Sequence, residues 1–145
     1  EVDLEELFKA LENLKKNKTG ALIVFERNSN LDFVKADGDT LNANISAPLI
    51  ESIFFKNSPL HDGALIIEGN SMTSSRVTLP LSKKKLNKSY GLRHKAGVGI
   101  TEDTDAISIV VSEETGKISY IKSGEFVEFK NNEQLKDLLL NDLAN

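Results

Sequence analysis

Three short apolar runs constrain the fold of this chain more than any other feature: Ala21-Leu22-Ile23-Val24-Phe25, Ala64-Leu65-Ile66-Ile67 and Ala106-Ile107-Ser108-Ile109-Val110-Val111. Each is shorter than an ordinary helix and is bounded by polar or glycine-containing segments, so each reads as a strand. A strand apolar on both faces has to be covered on both faces. Helical patterns elsewhere supply the cover. Leu4, Leu7, Phe8, Leu11 and Leu14 recur at helical spacing behind a capping Asp3, which predicts a helix over 3–17 ended by Thr19-Gly20. Ser46 caps a second helix with Pro48 in its first turn and Leu49, Ile50, Ile53 and Phe54 on its apolar face; it stops by Asn57 because Pro59 follows.

The intervening segments fill in the sheet. Residues 26–44, with Asn28-Ser29-Asn30 and Asp37-Gly38-Asp39, read as polar loop holding one short edge strand. Ala64 to Glu68, the turn Gly69-Asn70 and Met72 to Thr78 form a hairpin. Residues 83–90 are loop, and Leu92 to about Glu102 is a third helix in spite of Gly97 and Gly99. After the strand ending at Val111 come a turn at 112–116, strands over Ile118 to Ile121 and Phe126 to Phe129, and a last helix carrying Leu135, Leu138, Leu139 and Leu143. The expected fold is α/β: a single domain over 1–145 with a central mixed β-sheet flanked by helices, its core at about 1–130 and a C-terminal helix at about 131–143.

Composition narrows the chemistry. With 145 residues, 39% of them hydrophobic, the chain can bury one sizeable core. It has no cysteine, so no disulfide, thiolate nucleophile or cysteine-based zinc site is available, and a metal must be held by His, Asp or Glu. A net charge of -4 argues against binding a nucleic acid polymer through a broad basic surface, and Lys83-Lys84-Lys85 with Lys88 reads as a solvated loop. No apolar stretch approaches the roughly 20 residues that span a bilayer. The chain as given therefore reads as soluble. Its opening at Glu1, just ahead of an amphipathic helix, suggests a fragment that a targeting or membrane segment preceded.

Both histidines lie in segments that carry chemistry. In Ser58-Pro59-Leu60-His61-Asp62-Gly63-Ala64, a His-Asp pair and a glycine sit at the mouth of a buried strand. Asp62 can act as a base or metal ligand, His61 can bind a metal, and Gly63 allows close backbone approach; equally, Asp62 and Gly63 can simply make a turn. In Gly91-Leu92-Arg93-His94-Lys95, cationic or potentially cationic side chains crowd the first turn of a helix, where the dipole disfavours them. A compensating anion, held by Arg93 and backbone N–H groups, is one explanation, and an exposed basic turn is the other. Ser112-Glu113-Glu114-Thr115-Gly116 is either a hydrophilic hairpin turn or the source of a carboxylate that completes a metal site with His61 or Asp62. No Walker A loop, GxGxxG, HExxH or GxSxG is present.

Taken together, these three segments and Leu79-Pro80-Leu81-Ser82 closely resemble the diadenylate cyclase domain, nearest to the membrane-associated bacterial subfamily sometimes called the CdaA type. The resemblance implies condensation of two ATP molecules into cyclic di-AMP with release of two pyrophosphates, across a face-to-face homodimer in which each domain holds one ATP. It implies catalytic roles for Asp62, Gly63, Ala64, Arg93 and His94. The implied ATP contacts are Asp62, Gly63, Ala64, Leu79 through its backbone, Gly91, Leu92, Arg93, His94, Ser112 and Glu113. His61 and Glu114 resemble ligands of a divalent metal, manganese, magnesium or cobalt. A cytoplasmic catalytic domain, anchored to the membrane by an N-terminal segment absent from this chain, and a regulatory protein partner are also implied. Two positions depart from the usual Gly-Thr-Arg-His-Arg: Leu92 removes a hydroxyl, and Lys95 keeps charge but loses the bidentate fork. The alternative is a module that binds ATP or a cyclic dinucleotide without catalysis.

Overall fold

The computed structural model describes all of residues 1–145. Helix α1 (Leu4–Lys16) starts at Asp3, whose carboxylate accepts the Glu6 N–H at 3.1 Å, and α3 (Ala47–Phe54) starts at Ser46, whose hydroxyl accepts the Leu49 N–H at 3.3 Å. Both caps satisfy amides that have no partner inside the helix. The strands are β1 (Ala21–Glu26), β2 (Asp39–Asn44), β3 (Ala64–Glu68), β4 (Ser71–Val77), β5 (Ile107–Val111), β6 (Ile118–Lys122) and β7 (Glu125–Val127). They form one seven-stranded sheet in the order β2-β4-β3-β1-β5-β6-β7. Only β1 and β3 run parallel; every other neighbouring pair is antiparallel.

The three apolar runs are the three central strands, and the residues of each alternate between two separate cores. Ile23, Phe25, Leu65, Ile67, Ile109 and Val111 face α1, α3 and α5 (Asn132–Ala144). Leu22, Val24, Ala64, Ile66 and Val110 face the other way, against α2 (Asp32–Lys35) and α4 (Leu92–Asp103). This two-sided burial is why the runs show no polar alternation.

Two readings of the sequence need correction. Residues 26–44 hold a short helix, α2, as well as the edge strand: Val34 is buried, and the Val34 and Lys35 amides bond back to the Leu31 carbonyl at 3.0 and 3.1 Å. One buried residue in a four-residue helix leaves no periodicity to read. The last strand covers Glu125–Val127 rather than Phe126–Phe129, because its pairing with β6 ends at Tyr120–Val127.

The glycines of α4 have a packing cause. A Cβ on Gly97 would lie 3.1 to 3.3 Å from Ile121, Val110 and Ser108 on the sheet, while one on Gly99 would lie 2.0 Å from the Pro80 carbonyl oxygen. The helix is therefore clasped between the sheet and the Leu79–Ser82 strap, and the Ser82 N–H bonds to the Lys95 carbonyl at 3.0 Å. Burial on both sides accounts for the absence of a single apolar face.

Candidate active site

Strand direction brings the chemical segments together. Ile23 pairs with Leu65 in parallel, which sets the amino ends of β1 and β3 side by side. Ala21 pairs with Val111 and Ala64 with Val77, both antiparallel, so the carboxyl ends of β5 and β4 finish at the same place. Gly20, His61-Asp62-Gly63, Thr78-Leu79 and Ser112-Glu113-Glu114 accordingly all leave the sheet at one end. Since β3, β1 and β5 are consecutive, the Gly63 and Ser112 segments stand about 10 Å apart, two strand spacings. This edge mixes amino and carboxyl strand ends, unlike the carboxyl-end crevice of all-parallel sheets.

Gly63 has φ +103°, and a Cβ there would lie 2.8 to 2.9 Å from backbone atoms of Arg76 and Val77. The turn therefore requires glycine on two counts, conformation and space. It presents Asp62, whose side chain is 84% exposed and whose Oδ1 is 3.2 Å from His61 Nε2. His61 Nδ1 lies 2.8 Å from the Ser58 carbonyl oxygen, which accepts only, so Nδ1 carries the proton of that hydrogen bond. An imidazole fixed by a carbonyl at one nitrogen, with the other beside a carboxylate, is suited to a cation. The chain has no group of three or more His, Asp or Glu side chains arranged around one point. With so few protein donors at this turn, a cation here would have to complete its shell with water or ligand oxygens rather than sit in a closed protein cage.

Arg93, in the first turn of α4, extends across Gly20 to Glu113: its Nη1 donates to Glu113 Oε1 at 2.7 Å. Its Nε is buried without a partner. A guanidinium that uses so few of its donors within the chain is equipped to take up anionic oxygens. Ser112 is buried, and its hydroxyl oxygen accepts the Glu114 and Thr115 N–H groups at 3.2 Å each, holding the two glutamates at the tip of the turn. Glu114 is exposed. Ala64 and Leu79 have buried side chains in the core under α4, so only their backbones are available to a ligand. Gly91 and Leu92 are exposed at the helix start, Leu92 at 68%.

His94 does not add a positive charge to this turn. It is 5% exposed, its Nδ1 accepts the Gly91 N–H at 3.2 Å, and its ring packs 4.6 Å from Tyr90, which stacks on Phe126. Burial, followed by the nearby Lys117 and Arg93 charges, lowers its pKa from 6.5 to about 4. It is a neutral helix cap at physiological pH. A histidine neutral when folded and free to protonate when unfolded contributes stability that is complete above about pH 6.5 and lost as pH falls toward about 4. Urea titrations should show that loss, roughly 3 kcal/mol from the shift, and His94→Gln, which keeps an acceptor, should flatten it. Identical slopes in both proteins would contradict the assignment.

Two surface cavities lie elsewhere: one of about 430 Å³ beside Pro48, Glu51, Ser52 and Phe55, and one of about 350 Å³ between the start of β6 at Ile118-Ser119 and residues 126–132. Neither is lined by Asp62, Gly63, Arg93 or Glu114. No local pattern singles out Gly20, since a glycine just past a helix end is commonplace. Its contact with Arg93 arises only in the folded chain.

The chain is similar over most of its length to proteins of one family. The family model described as DisA bacterial checkpoint controller nucleotide-binding matches residues 8–126. A diadenylate cyclase of Listeria monocytogenes is 45% identical over 142 residues, covering 97% of this chain and 52% of that protein. Cyclic di-AMP synthase CdaA of Bacillus subtilis is 40% identical over 137 residues, 94% of this chain and 50% of that one. The chain spans about half the length of these relatives. A double mutant of DacA from Staphylococcus aureus superposes with a TM-score of 0.93 at 40% identity, over 98% of this chain and 95% of that one.

Proposed function

The chain belongs to the DisA nucleotide-binding, or DAC, family, and from that membership we propose that residues 1–145 are a diadenylate cyclase catalytic domain that joins two ATP molecules into cyclic di-AMP. The observation that carries the reading is the gathering of Asp62-Gly63, Arg93 and Ser112-Glu113-Glu114 at one end of one sheet, on a chain whose relatives carry that name.

In this reading each domain holds one ATP, and two domains meet face to face. The 3′-hydroxyl of one ATP attacks the α-phosphorus of the other, the bond from that phosphorus to the bridging oxygen breaks, and pyrophosphate leaves. Repetition in the opposite sense closes the ring. Asp62 lies exposed at the mouth of β3, free to take the hydroxyl proton. Arg93 and the α4 amino end receive phosphate oxygens. Gly63, packed against the Arg76–Val77 backbone, shapes the turn that presents Asp62, and the Leu79 main chain would meet the adenine edge. His61 and Glu114 would hold a divalent cation, manganese, magnesium or cobalt, which offsets phosphate charge when bound. The exposure of Asp62 leaves it accessible to an ATP held by a second copy, which supports a shared site. Catalysis by such an arrangement comes from positioning and charge neutralisation.

The reading extends to a membrane anchor and a regulatory protein partner, as the family resemblance implies. No helix of this chain is long and apolar enough to cross a membrane. A Bacillus cereus structure described as a hypothetical membrane spanning protein is 40% identical with a TM-score of 0.84 over 90% of this chain and 65% of that one, which supports an anchor outside these residues.

Incubation with ATP and each of manganese, magnesium and cobalt, with mass spectrometry of the products, tests the reading. Cyclic di-AMP should accumulate, with specific activity rising with protein concentration until the dimer saturates. ATP binding without product under all three metals would favour the non-catalytic module that Leu92 makes conceivable.

A further inference from the structure

We infer that Gly20 is a positioning residue for Arg93: the absence of a side chain there creates the slot in which the guanidinium lies, braced on its far side by Glu113. The inference rests on the reading of Arg93 as a phosphate ligand, and it adds a residue that none of the chemical segments contains.

The geometry is specific. A Cβ on Gly20 would stand 2.3 Å from Arg93 Nη1, 2.8 Å from Cζ and 3.1 Å from Glu113 Oε1. Those separations are below van der Waals contact, so a methyl group and the guanidinium exclude each other. Backbone conformation does not demand glycine at this position: the positive-φ glycines are Gly63, Gly69, Gly116 and Gly124, and Gly20 is not among them. Any L-residue can adopt the Gly20 backbone. What a side chain would displace is the far end of one flexible arginine, not main chain. This separates Gly20 from Gly63 and Gly99, where the nearest atoms are backbone.

The slot also accounts for the state of Arg93. Its side chain is only 21% exposed although it reaches the sheet end where substrate is proposed to bind, and its Nε is buried without a partner. Burying that N–H unpaired is costly and needs a structural reason. Gly20 sits on β1's amino end and Glu113 on the β5–β6 turn, adjacent strands of the sheet, so the two walls of the slot are fixed by β1–β5 pairing. A planar fork pinned between them is held before any ligand arrives. Because the walls come from two strands far apart in sequence, the slot exists only in the folded sheet.

Gly20→Ala should therefore keep the fold and lose the placement of Arg93. Two readouts separate this inference from the wider reading. The first needs no activity: in nitrogen-15 NMR, the Arg93 Nε–H resonance, assigned by its absence in Arg93→Ala, should be protected from exchange in the parent protein and shift or lose protection in Gly20→Ala. An unchanged Arg93 resonance overturns the slot. The second is a double-mutant cycle on ATP affinity by calorimetry and on cyclic di-AMP formation. Gly20→Ala should weaken binding or turnover by about 10- to 100-fold when Arg93 is present, the scale of a small misplacement. In an Arg93→Ala background it should have almost no further effect. A full additional loss in that background means that Gly20 acts on structure generally, and overturns the positioning role. If Arg93→Ala itself binds and turns over ATP normally, the phosphate role of Arg93 fails, while the NMR result still decides the slot.

Discussion

Asp62→Asn should abolish nearly all cyclic di-AMP formation, by about 10²- to 10⁴-fold, while ATP still binds within a few-fold of the parent. The direction follows from the placement of the carboxylate. Asp62 is 84% exposed, and its one close polar neighbour is His61 Nε2 at 3.2 Å. It supports no core contact and no buried hydrogen bond, so its amide should leave the melting temperature within about 2 °C, as an exposed polar change does. What the amide loses is basicity and charge. A neutral side chain cannot take a proton from an attacking hydroxyl and is a poorer partner for a cation beside His61. The measurement is a paired one, product by mass spectrometry and ATP affinity by calorimetry on the same preparation. Turnover within about threefold of the parent would remove Asp62 from the chemistry, since proton transfer by a placed group contributes far more.

Gly99→Ala carries the largest expected cost in stability. Its added methyl would meet the Pro80 oxygen at 2.0 Å and the Pro80 carbon and Ser82 nitrogen at 2.9 Å, all main-chain atoms with no rotamer to escape into. Either α4 moves away from the Leu79–Ser82 strap or the strap lifts, and both break the Ser82 N–H bond to the Lys95 carbonyl. Overpacking of this kind costs about 3 kcal/mol, or roughly 10 °C in a domain of this size. The strap begins at Leu79, a proposed nucleotide contact, so on the proposed function ATP affinity should fall as well. Gly91→Ala is the control: a Cβ there meets nothing within 4 Å, and its melting temperature should stay close to the parent's. Equal melting temperatures for Gly99→Ala and Gly91→Ala would show that the strap gives way without cost.

The parts of the fold legible in the chain are those set by local physics. Unbroken apolar runs are strands because a central strand buried on both faces tolerates almost no polar residue, and β1, β3 and β5 meet that condition. Asp3 and Ser46 mark helix starts because short acceptor side chains satisfy the first free amides. Where one buried residue such as Val34 defines an element, no pattern exists to be read. His94 is the instructive case at the site. By type and position it belonged to a basic turn, yet burial against Tyr90 and its bond to the Gly91 N–H make it neutral.

By itself, then, the chain determined which segments carry chemical groups and which of them are strands, caps and turns, because those properties depend on residues within a few positions of one another. It also carried the family resemblance, through the order and spacing of His61-Asp62-Gly63, Arg93-His94 and Ser112-Glu113-Glu114. Only the tertiary structure decided that these segments meet. Parallel pairing of β1 with β3 and antiparallel pairing of β1 with β5 bring three distant turns to one end of the sheet, and strand direction is a property of the whole fold. The same pairing fixes Gly20 opposite Glu113 and closes the slot around Arg93, a contact between three segments that no local pattern encodes.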